Sequence, residues 1–271
     1  MTPPLSDRAF VVVGGTSGLG LSAVRALVRN GARVVAVGRD PDKARAVESA
    51  FGDVVRTLAG DAILPGTASA AIDLCADAFG RFDGLYHVAG GSGRRFGDGP
   101  LHAVTDDGWD RTLELNLKSI FLSNRAATRW FLANRRGGSI LDCGSILGQS
   151  PSPHFFATHA YAAAKAALIG MAKACAAHYA PDGIRFNVVA PALVATPMSR
   201  RAQENAEIQE FIRTKQPLDG GRMGVPEDLD AAVVWLLSDA SRFVTGQVVA
   251  IDGGWGVSEG QIPRPKSPEA P

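Results

Sequence analysis

Ala9-Phe10-Val11-Val12-Val13-Gly14-Gly15-Thr16-Ser17-Gly18-Leu19-Gly20 is the stretch that decides the fold of this chain. Five apolar residues run without alternation, as a strand buried on both faces of a parallel sheet does. A glycine-rich turn follows, and then the helix-like pattern of 18–30. A turn so placed between strand and helix is where a dinucleotide's pyrophosphate rests, at the positive end of the helix. Gly14 can make the tight turn, Gly18 can let the backbone approach phosphate, and Gly20 can permit close helix–strand packing. Thr16 and Ser17 offer hydroxyls to the same phosphates, with Leu19 between the last two glycines.

Outward from this stretch, apolar runs at 9–13, 33–37, 54–58, 84–88, 139–143, 185–189 and 247–251 alternate with helix-like stretches near 18–30, 41–51, 66–79, 107–133, 160–180 and 226–238. The rhythm predicts a single-domain, doubly wound α/β fold of Rossmann type. Its seven-stranded parallel sheet would carry helices on both faces. The domain is expected to span 1–258. Pro263, Pro265, Pro268 and Pro271 mark 259–271 as a disordered tail. Segment 198–224 breaks the rhythm and contains Gly220-Gly221, which fits a hinged lid.

The 271 residues carry a net charge of +1, so no global field points to nucleic acid or to an anionic membrane. Arg94-Arg95, Arg135-Arg136 and Arg200-Arg201 are isolated basic pairs, read as solvated surface. Arg94 and Arg95 also follow the fourth strand, so binding of an anionic substrate is the alternative for them. Cys75, Cys143 and Cys175 contain no CxxC, and the five His show no metal-ligand spacing. Neither a disulfide framework nor a metal site is expected, and a reduced, cytoplasmic setting fits. No uncharged stretch reaches the ~18 apolar residues of a membrane span.

Tyr161 and Lys165 lie four apart in an Ala-rich run of high helix propensity, so phenol and ammonium share one helix face. A phenol titrates near ~10, too high for proton transfer at neutrality. An ammonium ~5 Å away at an effective dielectric of ~20 would favour the phenolate by roughly 3 kcal/mol, or about two pKa units.

The GxxxGxG spacing of Gly14, Gly18 and Gly20, taken with Tyr161-x-x-x-Lys165, resembles the classical short-chain dehydrogenase/reductase family. The likeness extends over about 7–256. Asp61, after the third strand, stands where the family holds adenine, with Ala62 beside it. His87-Val88-Ala89-Gly90 replaces the family's Asn-Asn-Ala-Gly. Asn116, Ser145, Tyr161 and Lys165 match its catalytic residues. Pro191, Val194 and Thr196 fall in the loop that grips the nicotinamide amide. Arg222-Met223-Gly224-Val225-Pro226-Glu227-Asp228 and Thr245 to Gly254 match its C-terminal signatures.

The resemblance implies roles. Tyr161 donates or accepts the proton, and Ser145 stabilises the substrate oxygen. Lys165 lowers the Tyr161 pKa and binds the nicotinamide ribose, and Asn116 holds a water linking Lys165 to solvent. It also implies a homotetramer through two long helices and the C-terminal strand. Val13, His87, Val88 and Ala192 depart from the family pattern. His87 and Val88 are expected to remove side-chain hydrogen bonds that steady the sheet. The step from Ser145 to Tyr161 is longer than the family's common one, the additional residues falling at 149–159 beside the substrate mouth. Phe155 and Phe156 fit a pocket wall or core equally, and His154 and His159 lack an orienting partner.

At the end of the second strand Gly38-Arg39-Asp40 stands where an NAD-binding unit places an acid for the ribose hydroxyls. Gly38 brings no charge, and Arg39 can pair with a 2′-phosphate. NADP is therefore the expected cofactor, with NAD the alternative should Asp40 reach the ribose. The sequence thus predicts an NADP(H)-preferring oxidoreductase on a carbonyl/secondary-alcohol pair. Its rivals are an NAD-dependent alcohol dehydrogenase of the same family and a non-catalytic nucleotide-binding regulatory protein.

Overall fold

The computed structural model of the chain describes residues 4–260. Its strands are β1 (Ala9–Val13), β2 (Arg33–Gly38), β3 (Val55–Ala59), β4 (Gly84–His87), β5 (Gly138–Cys143), β6 (Ile184–Pro191) and β7 (Val248–Ile251). Its α-helices are α1 (Gly18–Arg29), α2 (Pro41–Phe51), α3 (Thr67–Phe79), α4 (Asp106–Leu113), α5 (Ser119–Ala133), α6 (His159–Tyr179), α7 (Arg200–Gln203), α8 (Ala206–Lys215) and α9 (Asp230–Leu237). The strands form one parallel sheet in the order β3-β2-β1-β4-β5-β6-β7. The winding reverses between β1 and β4, and ligands of open α/β sheets bind where that reversal opens a crevice at the strands' carboxyl ends.

Every residue of β1 is buried, and alternation sends its side chains into two cores. Phe10 and Val12 pack with Val24 and Leu27 of α1 and Val233 of α9. Ala9, Val11 and Val13 pack on the other face with Ile72 and Cys75 of α3 and Phe131 of α5. Each large apolar side chain so buried is worth about 1.5–3 kcal/mol. A strand with both faces covered reads as an unbroken apolar run because no position faces water.

The crevice is opened by paired backbone bonds at the strand ends. Gly14 and Gly15 N–H both donate to Val37 O at 2.9 Å, and Val88 and Ala89 N–H both donate to Val13 O at 2.9 and 2.8 Å. The strand expected to reach Val88 therefore ends at His87. The helix expected over 107–133 is likewise broken by a π turn, Glu114–Lys118, between α4 and α5. Asn116 sits in that turn, and such insertions re-aim side chains at functional sites.

The expectation that His87 removes stabilising hydrogen bonds is corrected by the structure. The ring is fully buried, with Nδ1 at 2.9 Å from Ser123 Oγ and Nε2 at 3.1 Å from Ala89 O. It ties the end of β4 to α5. Burial, and then the nearby Lys165 charge, push its pKa down to about 3, so it is neutral.

Segment 198–224 folds as α7 and α8, whose Ala202, Ile208 and Ile212 pack with Ile146 and Trp255. The arm returns through Asp219, Gly220 and Gly221, all at positive φ. Of the tail expected over 259–271, residues 261–271 lie outside the described ones.

Candidate active site

The phosphate turn is closed by backbone contacts that only glycine allows. A Cβ on Gly14 would lie 2.7 Å from Ala89 N, and one on Gly20 would lie 2.0 Å from Gly14 O. The result is a cleft of about 210 Å³. Gly14, Thr16, Ser17, Leu19, Gly20, Arg39, Asp61, Ala62, Ala89, Gly90 and Thr196 all line it. Gly18 borders it, at φ +50° and facing Thr196. The donors, the turn before α1 and the acid of Asp61 fit a dinucleotide. Pro191 and Val194 do not line this cleft. Pro191 pairs with Ile251 at the end of β6, and the buried Val194 bridges Gly224. Gly224 also receives Ala195 N–H and donates to Leu193 O, so the 222–228 signature holds the turn that carries Thr196.

Ser145 closes β5 and caps a short helical turn, its Oγ accepting Leu147 N–H at 3.2 Å. Tyr161 and Lys165 project from the first turns of α6. Burial, and then the nearby Cys143, raise the Tyr161 phenol, while Ser145 beside it pulls it back. The Lys165 ammonium, 4% exposed, donates to Cys143 O at 2.7 Å and lies 5.7 Å from the Tyr161 ring centroid. Burial lowers its own pKa, while Cys143 and Asp142 raise it.

Asn116 is fully buried, and its amide is committed to the backbone. Oδ1 accepts Gly91 N–H at 3.1 Å, while Nδ2 donates to Gly91 O at 2.9 Å and to Thr112 O at 3.0 Å. The side chain braces the 90–91 loop against the π turn. Beneath the site, Asp142 donates nothing and accepts Asn124 Nδ2–H at 2.7 Å. Burial raises its carboxyl to about 7 against the pull of Asn124 and Lys165.

Ser145 and Tyr161 open into a second cavity of about 200 Å³, walled by Ile146, Leu147, Phe156, Leu193, Met198 and Trp255. Met198 and the dinucleotide cleft meet there, since the same side chain lines both. Phe156 is thus pocket wall, while Phe155 stacks near Phe211 at 5.2 Å. His159 accepts Leu101 N–H on Nδ1 and is structural. Two members escaped the sequence reading. Trp255 follows a signature whose glycines drew the attention, and Arg201 was read as solvated surface. Asp98 was missed as well. Its Oδ1 and Oδ2 accept the N–H groups of Ala160 and Tyr161, and only the flanking Gly97 and Gly99 hinted at it.

At the outer end of the cleft, a Cβ on Gly38 would lie 2.1 Å from Thr16 Oγ1. Asp40 turns away to cap α2, accepting Asp42 and Lys43 N–H at 3.0 and 3.2 Å. Arg39 is exposed and lines the cleft, and among the described residues it has no carboxylate partner.

The fold, the glycine cradle and the Ser145–Tyr161–Lys165 group define an NAD(P)-dependent oxidoreductase. Residues 13–256 match the family model described as Enoyl-(Acyl carrier protein) reductase. The chain is 33% identical to 2-(S)-hydroxypropyl-CoM dehydrogenase 3 of Xanthobacter autotrophicus, covering 94% of this chain and 98% of that one. It is 32% identical to L-rhamnose 1-dehydrogenase (NAD(P)(+)) of Azotobacter vinelandii, covering 92% and 97%. It superposes with a TM-score of 0.84 at 31% identity on a short-chain type dehydrogenase/reductase from Mycobacterium ulcerans, covering 94% and 91%. The chain belongs to the short-chain dehydrogenase/reductase family.

Proposed function

We propose that this chain is an NADP(H)-preferring oxidoreductase that interconverts a carbonyl and a secondary alcohol, with Tyr161 as general acid/base. The observation that carries the reading is that Ser145 and Tyr161 together line a largely apolar pocket that meets the dinucleotide cleft at Met198. A bound nicotinamide dinucleotide supplies or accepts the hydride. In reduction Tyr161 gives its proton to the carbonyl oxygen. Burial keeps the phenol protonated at rest. Ser145 holds the oxygen as negative charge develops on it. Lys165 adds positive charge near the ring, 5.7 Å from its centroid, and in this reading binds the ribose hydroxyls. Asn116 and Asp98 keep the flanking loop and α6 in register. Oxidation runs these proton movements in reverse.

The cofactor preference rests on three side chains. Gly38 offers no acid, Asp40 is spent on α2, and Arg39 presents its guanidinium to the cleft. We extend the proposal to a cytoplasmic homotetramer. In support, Cys75, Cys143 and Cys175 are free thiols, β7 is an edge strand, and Phe121, Trp235 and Phe243 are exposed. Among the described residues no helix is long and apolar enough to cross a membrane. The unit is proposed to comprise 1–258.

A panel of ketones and secondary alcohols, run with both cofactors and followed by nicotinamide absorbance, tests the reading. Tyr161→Phe keeps the ring and removes the acid, so kcat should fall about 10²–10⁴-fold with cofactor affinity retained. A Phe variant keeping more than about a third of kcat would overturn the Tyr161 role, being far inside the range that acid–base catalysis supplies.

A further inference from the structure

We propose that Arg94 and Arg201 form an anion-recognition subsite at the mouth of the substrate pocket, so that the substrate carries a carboxylate or sulfonate at the end remote from its reacting carbonyl. The inference rests on the dehydrogenase reading for which end of the pocket reacts. The pocket's lining holds no acidic side chain, and its charged members are these two guanidiniums. They come from distant parts of the chain, Arg94 from the loop after β4 and Arg201 from α7. Each donates through one terminal nitrogen to the same acceptor, Phe155 O, at 3.0 Å.

Two like charges converging on one carbonyl repel each other, and burial and then the Arg201 charge both disfavour the Arg94 cation. Both residues are exposed, so the guanidiniums are open to a ligand in solution. Among the described residues neither forms an ion pair. The carboxylate whose field favours the Arg94 cation, Asp98, has both oxygens committed to the α6 backbone. A guanidinium has five N–H donors in a planar fork, so each arginine keeps donors for a second, charged acceptor. The Arg201 guanidinium is also steadied over the Phe156 ring at 5.8 Å. The lining that the arginines share with Ser145 and Tyr161 is mostly apolar, through Ile146, Leu147, Phe156 and Met198 among others. The pocket therefore matches a molecule with an anionic head, a hydrocarbon body and a carbonyl or hydroxyl at the far end.

The test uses 5-oxohexanoate, 5-oxohexane-1-sulfonate and the neutral 5-oxohexanamide, each titrated calorimetrically into the full chain saturated with oxidised NADP. With that cofactor form a ketone binds without reacting. The anions are expected to bind at least tenfold more tightly than the amide. The gap should close in an Arg94→Gln/Arg201→Gln double variant and persist in Arg95→Gln, an exposed neighbour outside the pocket lining. NADP affinity serves as the check that the double variant is folded. Preference for one anion over the other identifies the head group and still supports the subsite. Equal binding of amide and anions by the unaltered protein, or a gap untouched in the double variant, overturns it. Reduction of the same three ketones with NADPH is read separately. Anion preference without turnover of any ketone leaves the subsite standing and removes the dehydrogenase reading, and turnover of the amide without anion preference does the reverse.

Discussion

Asp98 holds Tyr161 by its backbone: Oδ2 accepts the Tyr161 N–H and Oδ1 accepts that of Ala160, both at 3.0 Å. Thr158, at the ordinary cap position of α6, makes no side-chain cap bond. A buried acid from a distant loop therefore satisfies the first-turn donors, where negative charge also suits the helix dipole. The substrate-side loop and the helix of the proposed catalytic tyrosine are thereby joined.

Asp98→Ala is expected to lower stability by about 1–2 kcal/mol, the cost of a lost cap. It should reduce kcat more than it changes KM, because the phenol loses its fixed position. Asp98→Asn keeps an acceptor and should recover part of both. Denaturant midpoints and steady-state kinetics on the two variants check this, and identical kinetics in all three proteins would count against a positioning role.

Lys165→Ala should weaken dinucleotide binding and lower kcat together, because the proposal gives the ammonium both the ribose contact and the field beneath Tyr161. It also strips Cys143 O of its buried donor, a loss of about 1–3 kcal/mol in stability. Calorimetric affinity for NADP unchanged in the variant would argue against the ribose contact.

Arg39→Ala should erase most of a preference for NADP(H) that is expected to be at least tenfold in kcat/KM. A tenfold preference corresponds to about 1.4 kcal/mol, within the range of one charge-assisted contact to phosphate. Initial rates with both cofactors decide it. A native preference for NAD(H) would sink the assignment.

His87 and Asp142 should give opposed pH dependences of stability. His87 is depressed from 6.5 to about 3, so below pH 6.5 the unfolded chain binds a proton the folded chain refuses. Its contribution is lost as pH falls from about 6.5 toward 3, at about 1.4 kcal/mol per unit. Asp142 is raised from 3.8 to about 7, so the folded chain keeps a proton that the unfolded chain releases. Its contribution is lost as pH rises from about 3.8 to 7. The two slopes offset each other in the shared window. His87→Asn should leave stability falling with pH there, and Asp142→Asn should leave it rising. Urea midpoints across that window read the slopes, and unchanged profiles in both variants would refute the pair.

The chain's order of strands and the glycine cradle were legible because local pattern determines them. Unbroken apolar runs can only be strands covered on both faces, and Gly14 and Gly20 sit where a side chain would strike backbone. Ser145 and Tyr161 were legible through a resemblance that spans nearly the whole chain. What escaped depends on contacts between distant residues. His87 reads as a lost asparagine until Ser123 appears beside it, and the bond of Asn116 to both backbone groups of Gly91 is invisible in the sequence. The i, i+4 spacing of Tyr161 and Lys165 fixes a shared face but not where the ammonium ends. Here it ends at Cys143 O.

The contact between Gly38 and Thr16 makes cofactor choice epistatic. A side chain at 38 would meet not only Thr16 Oγ1 and Cγ2, which rotation could move, but also Thr16 Cβ at 2.8 Å, which it could not. An acid introduced at 38 alone would therefore distort the phosphate turn before it reached any ribose. A lineage or an engineer moving this scaffold toward the other dinucleotide has to shrink residue 16 first and add the acid second. The reverse order passes through a crippled intermediate, so the glycine at 38 acts as a ratchet on the evolutionary path, released from a position two strands' breadth of sequence away.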